Sequence, residues 1–188
     1  MECMIEIENL SLTMKKQVIL SDINLSFEKG KIHGLIGRNG SGKTMLMKCI
    51  LGFIRPSQGT IWVDHKKIGK EVDFPPHTGV IIETPGFIPH YSGYKNLKVL
   101  AELNGKIDRG QIIHTMELVG LNPNLRRPIK KYSLGMRQRL GIAQAIMENP
   151  DILILDEPMN GLDKHGVEDM RKLLVQLKEE GTTILVAS

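Results

Sequence analysis

The 188-residue sequence lacks long hydrophobic runs and has few cysteines and few aromatic residues. No apolar stretch approaches the roughly 18 residues that a membrane-spanning helix needs, so this chain is not expected to cross a bilayer itself. Its two cysteines, Cys3 and Cys49, offer neither a disulfide framework nor metal-ligand spacing, which favours reduced thiols in the cytosol. Aromatic residues make up 4% of the chain against ten methionines, a composition typical of an aliphatic core padded with methionine.

The sequence also lacks a long run of acidic residues or of basic residues. Its formal net charge is +4, and its densest basic cluster is the short run LRRPIKK (Leu125–Lys131). Runs of this kind are usually solvated loops, so no nucleic-acid partner is expected. The first residues, MECMIEIENL, carry acidic side chains and lack the basic-then-apolar order of a signal peptide.

Hydrophobic periodicity changes along the chain. MIEIENLSL and INLSFEKG alternate polar and apolar residues, as half-buried strands do. Residues 85–147 carry apolar residues at helical spacing, whereas DILILDEP (Asp151–Pro158) is the continuous apolar run of a strand buried on both faces of a parallel sheet. This order predicts an α/β fold with an N-terminal antiparallel β subdomain, a parallel sheet and a helical insert.

The same change of periodicity predicts how the domain is organised. We expect a single domain over residues 1–188. Residues 1–84 together with 148–188 would form the core of this domain, and residues 85–147 would form its helical subdomain.

The stretch GRNGSGKT (Gly37–Thr44) matches the pattern G-x-x-x-x-G-K-[ST] and lies between a predicted strand and a predicted helix. Its glycines let the backbone approach phosphate oxygens, and N–H groups at the helix N-terminus offer them partial positive charge. Lys43 would reach the β- and γ-phosphates, and the Thr44 hydroxyl would bind Mg²⁺. The alternative is an ordinary glycine-rich turn with an exposed lysine. The context favours a P-loop nucleotide site with the candidate binding residues Gly37, Arg38, Asn39, Gly40, Ser41, Gly42, Lys43 and Thr44.

Two carboxylates follow the buried run ILIL. Asp156 and Glu157 stand where an apolar strand ends, which is where ligands bind in open parallel sheets. Asp156 would complete the Mg²⁺ shell begun by Thr44, and Glu157 would polarise the attacking water. Acidic residues end many strands, so this pair is informative because a P-loop accompanies it. Phosphoanhydride hydrolysis is the predicted reaction, with Lys43 and Glu157 as catalytic residues.

The stretch YSLGMRQRLGIAQAIMENPDILILDEPMNGLD (Tyr132–Asp163) resembles the ATP-binding-cassette (ABC) ATPases. Their pattern is L-S-G-G-Q, a helix, a strand ending in D-E-P, and a D-loop. The resemblance runs from about Met4 to the last residue; helicases and GTPases share the P-loop but lack the signature. It implies ATP and Mg²⁺ as cofactors, and a head-to-tail homodimer or paired cassette when ATP is bound.

In such a pair, the resemblance places ATP between Lys43 of one copy and Ser133 with Gly135 of the other, and it places Asp163 at the dimer seam. The residues alone leave a simpler interpretation open. YSLG is also a capped helix start, and Asp163 is also a helix N-cap.

This sequence departs from the family pattern at several positions. Its Y-S-L-G-M signature and the stretch VIIETPGF resemble bacterial cassettes of bacitracin, lantibiotic and related drug exporters. Glu83 stands where the family has glutamine, so it is a candidate catalytic residue and metal ligand as well as a plain strand-end residue. Met14 is nearest to the position of the adenine-stacking aromatic residue, which implies weakened or absent stacking.

The resemblance implies the ATPase subunit of a membrane exporter. It would act on the cytoplasmic face of the membrane, with a polytopic permease docked on the helical insert and a hinge over Glu83–Tyr94. Two alternatives remain open at this point: a soluble ABC-type ATPase unconnected with transport, and a regulatory fragment that binds ATP without hydrolysing it.

The last residues, GTTILVAS, are predicted to form a buried strand, and the family resemblance implies that this strand is central in the sheet. In the family, a histidine that contacts the γ-phosphate follows this strand. The sequence is therefore expected to be C-terminally truncated, and a chain of this length is expected to bind Mg-ATP but to hydrolyse it poorly.

Overall fold

A computed structural model describes residues 2–83, 86–105 and 107–188, and its strands form two four-stranded sheets. The first sheet is antiparallel, with the strand order β2-β1-β4-β5. It consists of β1 (Cys3–Met14), β2 (Gln17–Glu28), β4 (Gln58–Val63) and β5 (Lys66–Lys67). Alternate apolar residues of β1, such as Ile5 and Ile7, are buried, as the sequence pattern predicts. The N-terminal antiparallel β subdomain is thereby confirmed.

The second sheet is parallel and carries the order β3-β8-β7-β6. Its strands are β3 (Ile32–Leu35), β6 (Thr78–Ile81), β7 (Ile152–Asp156) and β8 (Thr183–Ala187). All five residues of β7 are buried, and β8 lies between β3 and β7, so the prediction of a central strand for GTTILVAS is confirmed. The carboxyl ends of the four strands meet at one edge, because the strands are parallel.

The described residues contain five α-helices: α1 (Lys43–Ile50), α2 (Gly93–Asn104), α3 (Arg109–Leu118), α4 (Leu134–Ile146) and α5 (Lys164–Glu179), with a 3₁₀ turn over Ile129–Lys131 before α4. Side chains of Ser92, Asp108, Ser133 and Asp163 cap four of them by accepting a hydrogen bond from a backbone N–H three residues on. Helix α4 begins at Leu134, directly after its cap Ser133.

The parallel sheet has an apolar core on each face. Side chains of β7 alternate between the two: Leu153 and Leu155 pack with helices α2–α5, whereas Ile152 and Ile154 pack with α1 and the antiparallel sheet. The helical segment thus shares its core with the sheet. The division into residues 1–84 with 148–188 and residues 85–147 remains a prediction, and its first boundary lies outside the described residues.

Helix α1 is anchored through its buried face of Leu46, Met47, Cys49 and Ile50. Burial raises the pKa of the Cys49 thiol to about 11, so this group is protonated and unreactive at neutral pH. Within the described ranges, none of the helices has the length and apolar character needed to cross a membrane.

Candidate functional site

A cavity of about 600 Å³ opens at the carboxyl edge of the parallel sheet. This edge is where open α/β sheets bind ligands, because loops and helix N-termini converge there. The cavity is lined by Ile19, Asn39, Gly40, Ser41, Gly42, Lys43, Thr44, Met45, Asp156, Glu157 and Asn160. The P-loop and the two carboxylates that the sequence predicted are therefore brought to one place.

The P-loop connects β3 to α1 and takes the conformation that its glycines permit. Gly40 and Gly42 have φ angles of 82° and 94°, in the left-handed region that disfavours side chains. A Cβ atom on Gly42 would also lie 2.8 Å from a methyl carbon of Leu20. Only glycine at this position lets α1 start directly behind the loop, with its first N–H groups facing the cavity.

The side chain of Lys43 folds back over the P-loop. Its Nζ donates hydrogen bonds to the carbonyl oxygens of Gly37 at 2.5 Å and Arg38 at 3.3 Å. Gly37 and Arg38 precede the cavity wall and contribute to the site through these carbonyls. The ammonium group thus stands beside the cavity, held by neutral acceptors that a phosphate oxygen would replace.

Thr44 and Asp156 join the P-loop helix to the sheet. The Thr44 hydroxyl donates a hydrogen bond of 2.6 Å to Asp156 Oδ2, and Asp156 is only 8% exposed. A hydroxyl and a carboxylate are hard oxygen donors, which suit Mg²⁺ completed by phosphate oxygens and water. In the described part of the chain, no group of three or more His, Cys, Asp or Glu side chains is placed to hold a metal ion. A metal ion at this site would therefore need phosphate oxygens or water as further ligands.

Glu157 occupies an unusual backbone conformation beside Asp156. Its φ angle is 48°, which is uncommon for a residue other than glycine, asparagine or aspartate. Its N–H donates to the Ala187 carbonyl at 3.1 Å, which ties the residue to the end of β8. The Gln138 side chain on α4 donates to the carbonyl oxygens of Glu157 at 3.4 Å and Pro158 at 3.0 Å. These bonds hold the left-handed turn that aims Glu157 at the cavity.

The signature residues lie apart from the cavity wall. Ser133 is exposed, and its Oγ accepts a hydrogen bond from Met136 N at 3.2 Å. Asp163 Oδ1 accepts one from Gly166 N at 2.8 Å. The helix-capping interpretation of both residues is thus what the single chain displays. Gly135 lies so close to the loop before α5 that a Cβ atom there would stand 2.9 Å from the Gly161 carbonyl oxygen.

Glu83 and Met14 also lie outside the cavity wall. Glu83 follows β6 with a φ angle of 60°, and its carboxylate forms an ion pair of 2.5 Å with Lys48 Nζ on α1. Met14 ends β1 at the hairpin and is 42% exposed, while Ile19 on β2 contributes the apolar part of the wall. A role for Met14 in contacting the base remains a prediction.

Sequence reasoning overlooked several residues of this region, among them Ile19, Lys48, Gln138 and Asn160. The sequence does contain a signal for Lys48. This residue stands four positions after Thr44 and therefore lies on the same face of the helix. The signal for Asn160 is weaker: it is a polar residue three positions after Glu157. Ile19 and Gln138 carried none, because their roles depend on contacts across the fold.

Comparison with known proteins gives a consistent result. The family model described as ABC transporter matches residues 20–160. The chain is 45% identical over its whole length to the bacitracin transport ATP-binding protein BcrA of Enterococcus faecalis, of which it spans 62%. It is 38% identical, over 98% of its length, to the lantibiotic transport ATP-binding protein SrtF of Streptococcus pyogenes, of which it spans 80%.

Solved structures show the same fold. A dimeric structure of a bacterial ABC transporter cassette superposes with a TM-score of 0.86 at 25% identity, covering 98% of this chain and 88% of that one. The α/β P-loop architecture predicted from the sequence is thereby confirmed.

Proposed function

This chain belongs to the ABC transporter family, and on that premise we propose that it is the ATP-hydrolysing subunit of a bacterial exporter of antimicrobial peptides such as bacitracin or lantibiotics. The Thr44–Asp156 hydrogen bond carries the chemical part of the proposal. It joins the phosphate-binding helix to the acidic strand in one cavity, with Lys43 and Glu157 in the wall. The bacitracin and lantibiotic relatives support the choice of substrate class.

The P-loop and the two carboxylates would each have a distinct role in this reaction. Lys43 and the P-loop N–H groups would hold the β- and γ-phosphates in place for in-line attack. Thr44 and Asp156 would hold Mg²⁺, which neutralises charge on the phosphates when bound. Glu157 would accept a hydrogen bond from the attacking water and polarise it. Catalysis would come mainly from this positioning and from electrostatic stabilisation of the transferred phosphoryl group.

Two copies are proposed to pair head to tail around ATP. Ser133 is exposed at the N-terminus of α4, where its hydroxyl and the helix N–H groups could meet the γ-phosphate held by a second copy. Asp163, also exposed, would lie beside it at the seam. The dimeric bacterial cassette that this fold resembles supports such a pair.

A polytopic membrane permease is the proposed second partner. It would dock on the helical segment of residues 85–147, which places the ATPase on the cytoplasmic face of the membrane. The hinge proposed over Glu83–Tyr94 contains residues 84 and 85, which lie outside the described ranges. Its later part is bonded to the segment before the signature, since Ile129 N donates to the Tyr91 carbonyl and Lys130 N to the Pro89 carbonyl, each at 2.9 Å.

Antibiotic sensitivity tests the proposed function. Cells that express this protein together with its proposed polytopic permease are expected to grow at higher concentrations of bacitracin or of a lantibiotic. The matched control is the same pair carrying Lys43→Met, which keeps the length and apolar stem of the side chain and removes its charge. Unchanged tolerance of both peptide classes, with the two proteins present in the membrane, would contradict the exporter proposal.

Glu83→Gln tests the proposed role of this carboxylate toward the metal. An amide offers a neutral oxygen in place of a charged one, so the Mg²⁺ concentration needed for half-maximal Mg-ATP binding is expected to rise about tenfold. Calorimetric Mg²⁺ titration at fixed ATP measures this shift. Glu168→Gln on the exposed side of α5 carries the same charge change away from the cavity. An unchanged Mg²⁺ response in Glu83→Gln would remove Glu83 from the metal site.

A further inference from the structure

Two side chains of α1 reach the carboxyl edge of the parallel sheet from the same face of the helix. Thr44 and Lys48 are four residues apart, which separates them by roughly 6 Å along the helix axis. Thr44 donates to Asp156 at the end of β7, and Lys48 pairs with Glu83 just beyond the end of β6. The α1 helix is therefore connected to two adjacent strands by two neighbouring polar bridges.

The register of these strands places Glu83 next to the nucleotide cavity. Ile81 of β6 pairs with Leu155 of β7, so Glu83 and Glu157 each lie two residues beyond the same rung of the ladder. Adjacent strands are about 4.8 Å apart. With Asp156 and Glu157 in the cavity wall, Glu83 is a further carboxylate at this edge of the sheet, just outside that wall.

Burial differs between the two partners of the ion pair. The Lys48 side chain is 23% exposed, whereas that of Glu83 is 65% exposed. A half-buried lysine side chain loses part of its hydration and gains from a charged partner, while the exposed carboxylate could turn toward water. Lys48 is thus the fixed member of the pair, and it determines where the carboxylate of Glu83 stands.

We propose that Lys48 is a positioning residue of the nucleotide site: in the absence of metal, its ammonium group holds the Glu83 carboxylate outside the cavity and neutralises its charge, so that nucleotide phosphates can bind beside it. This role rests on the proposed nucleotide site and adds to it a residue that contacts no phosphate itself. This role explains how the site tolerates a carboxylate at position 83. The negative charge of Glu83 is compensated by Lys48, which lies one helical turn after Thr44.

Nucleotide affinity in the absence of metal tests this role. Binding of a fluorescent ADP analogue in EDTA is measured for the wild type, Lys48→Met, Glu83→Gln and the double variant. Lys48→Met is expected to weaken binding about 3- to 10-fold at low ionic strength, since an uncompensated carboxylate then stands near the phosphates. The double variant is expected to regain wild-type affinity within about twofold, because it removes the repelling charge together with its counter-charge.

Two controls separate positioning from packing. Lys48→Arg keeps a cation at the same place and is expected to bind like the wild type. Lys98→Met on α2 breaks the exposed Lys98–Glu102 pair and changes the net charge equally, away from the cavity. A loss in Lys48→Met that Glu83→Gln does not rescue would show that Lys48 acts by packing, and would overturn the proposal.

Each remaining outcome also decides the question. Wild-type affinity in Lys48→Met overturns the proposal while leaving the nucleotide site intact, whereas a wild type that binds no nucleotide overturns the proposed function itself. If Lys48→Met alone does not fold, the double variant carries the comparison. Wild-type affinity in a folded double variant supports the charge-compensation role, and weaker binding refutes it.

Discussion

Replacing Glu157 with glutamine is expected to lower the rate of ATP hydrolysis by about 10²- to 10⁴-fold, with nucleotide binding retained. The change removes the carboxylate that would polarise the attacking water and leaves a side chain of nearly the same shape. Glu157 is held by backbone bonds, from its N–H to Ala187 and from Gln138 to its carbonyl oxygen. Neither bond involves the carboxylate, so the substitution should leave the turn in place.

Single-turnover phosphate release measures the hydrolysis rate, and gel filtration with ATP measures pairing. Because ATP would bind without being consumed, the Glu157→Gln protein is expected to accumulate as an ATP-bound dimer. Glu168→Gln makes the same change on the exposed side of α5 and should keep the wild-type rate. A rate above one tenth of wild type would remove Glu157 from catalysis, and a strictly monomeric Glu157→Gln protein with ATP would count against head-to-tail pairing.

Lys43→Met is expected to weaken nucleotide binding by about 10- to 100-fold, which corresponds to the loss of charge-assisted hydrogen bonds worth about 1.5–3 kcal/mol. Among the described residues, the Lys43 ammonium group bonds only to the carbonyl oxygens of Gly37 and Arg38, both on the P-loop. These neutral acceptors would give way to phosphate oxygens, with which the ammonium group interacts more strongly. The free energy lost in Lys43→Met is therefore mainly free energy of nucleotide binding.

Calorimetry with Mg-ATP measures this loss. Lys172→Met on the exposed face of α5 removes an equal charge far from the P-loop and is expected to bind nucleotide like the wild type. Thermal unfolding of both variants distinguishes a loss of affinity from a loss of the fold. Affinity within about twofold of wild type in Lys43→Met would contradict the assignment of this lysine to the phosphates.

Much of the candidate site could be predicted because its chemistry lies in contiguous residues. The P-loop spans eight consecutive positions, Gly37–Thr44, and its glycines, lysine and threonine act through the turn and the helix start that they form themselves. The Asp156–Glu157 pair is equally local, since an apolar run buried on both faces must end at an edge of the sheet. Helix caps at Ser133 and Asp163 reach only three residues along the chain.

Other features of the site could be located only from the order of the strands in the sheet. The position of β8 between β3 and β7 brings the end of the chain beside Glu157, through the bond from Glu157 N to the Ala187 carbonyl. The apolar composition of GTTILVAS predicted a buried strand, and the family resemblance predicted its central place. Composition alone does not identify its neighbours, because any parallel strand offers the same backbone hydrogen bonds.

The sequence by itself determined the chemical groups of this site, the local backbone that presents them and the alternation that buries each strand. The tertiary structure alone decided which of these groups meet. Thr44 and Asp156 are 112 positions apart, and Lys48 and Glu83 are 35 apart. Helix and strand patterns act over a few residues, whereas such pairs form where α1 crosses the ends of β6 and β7. Any of several acidic residues could have met Lys48 in another arrangement of the same elements, and the packing of α1 on the sheet selects Glu83.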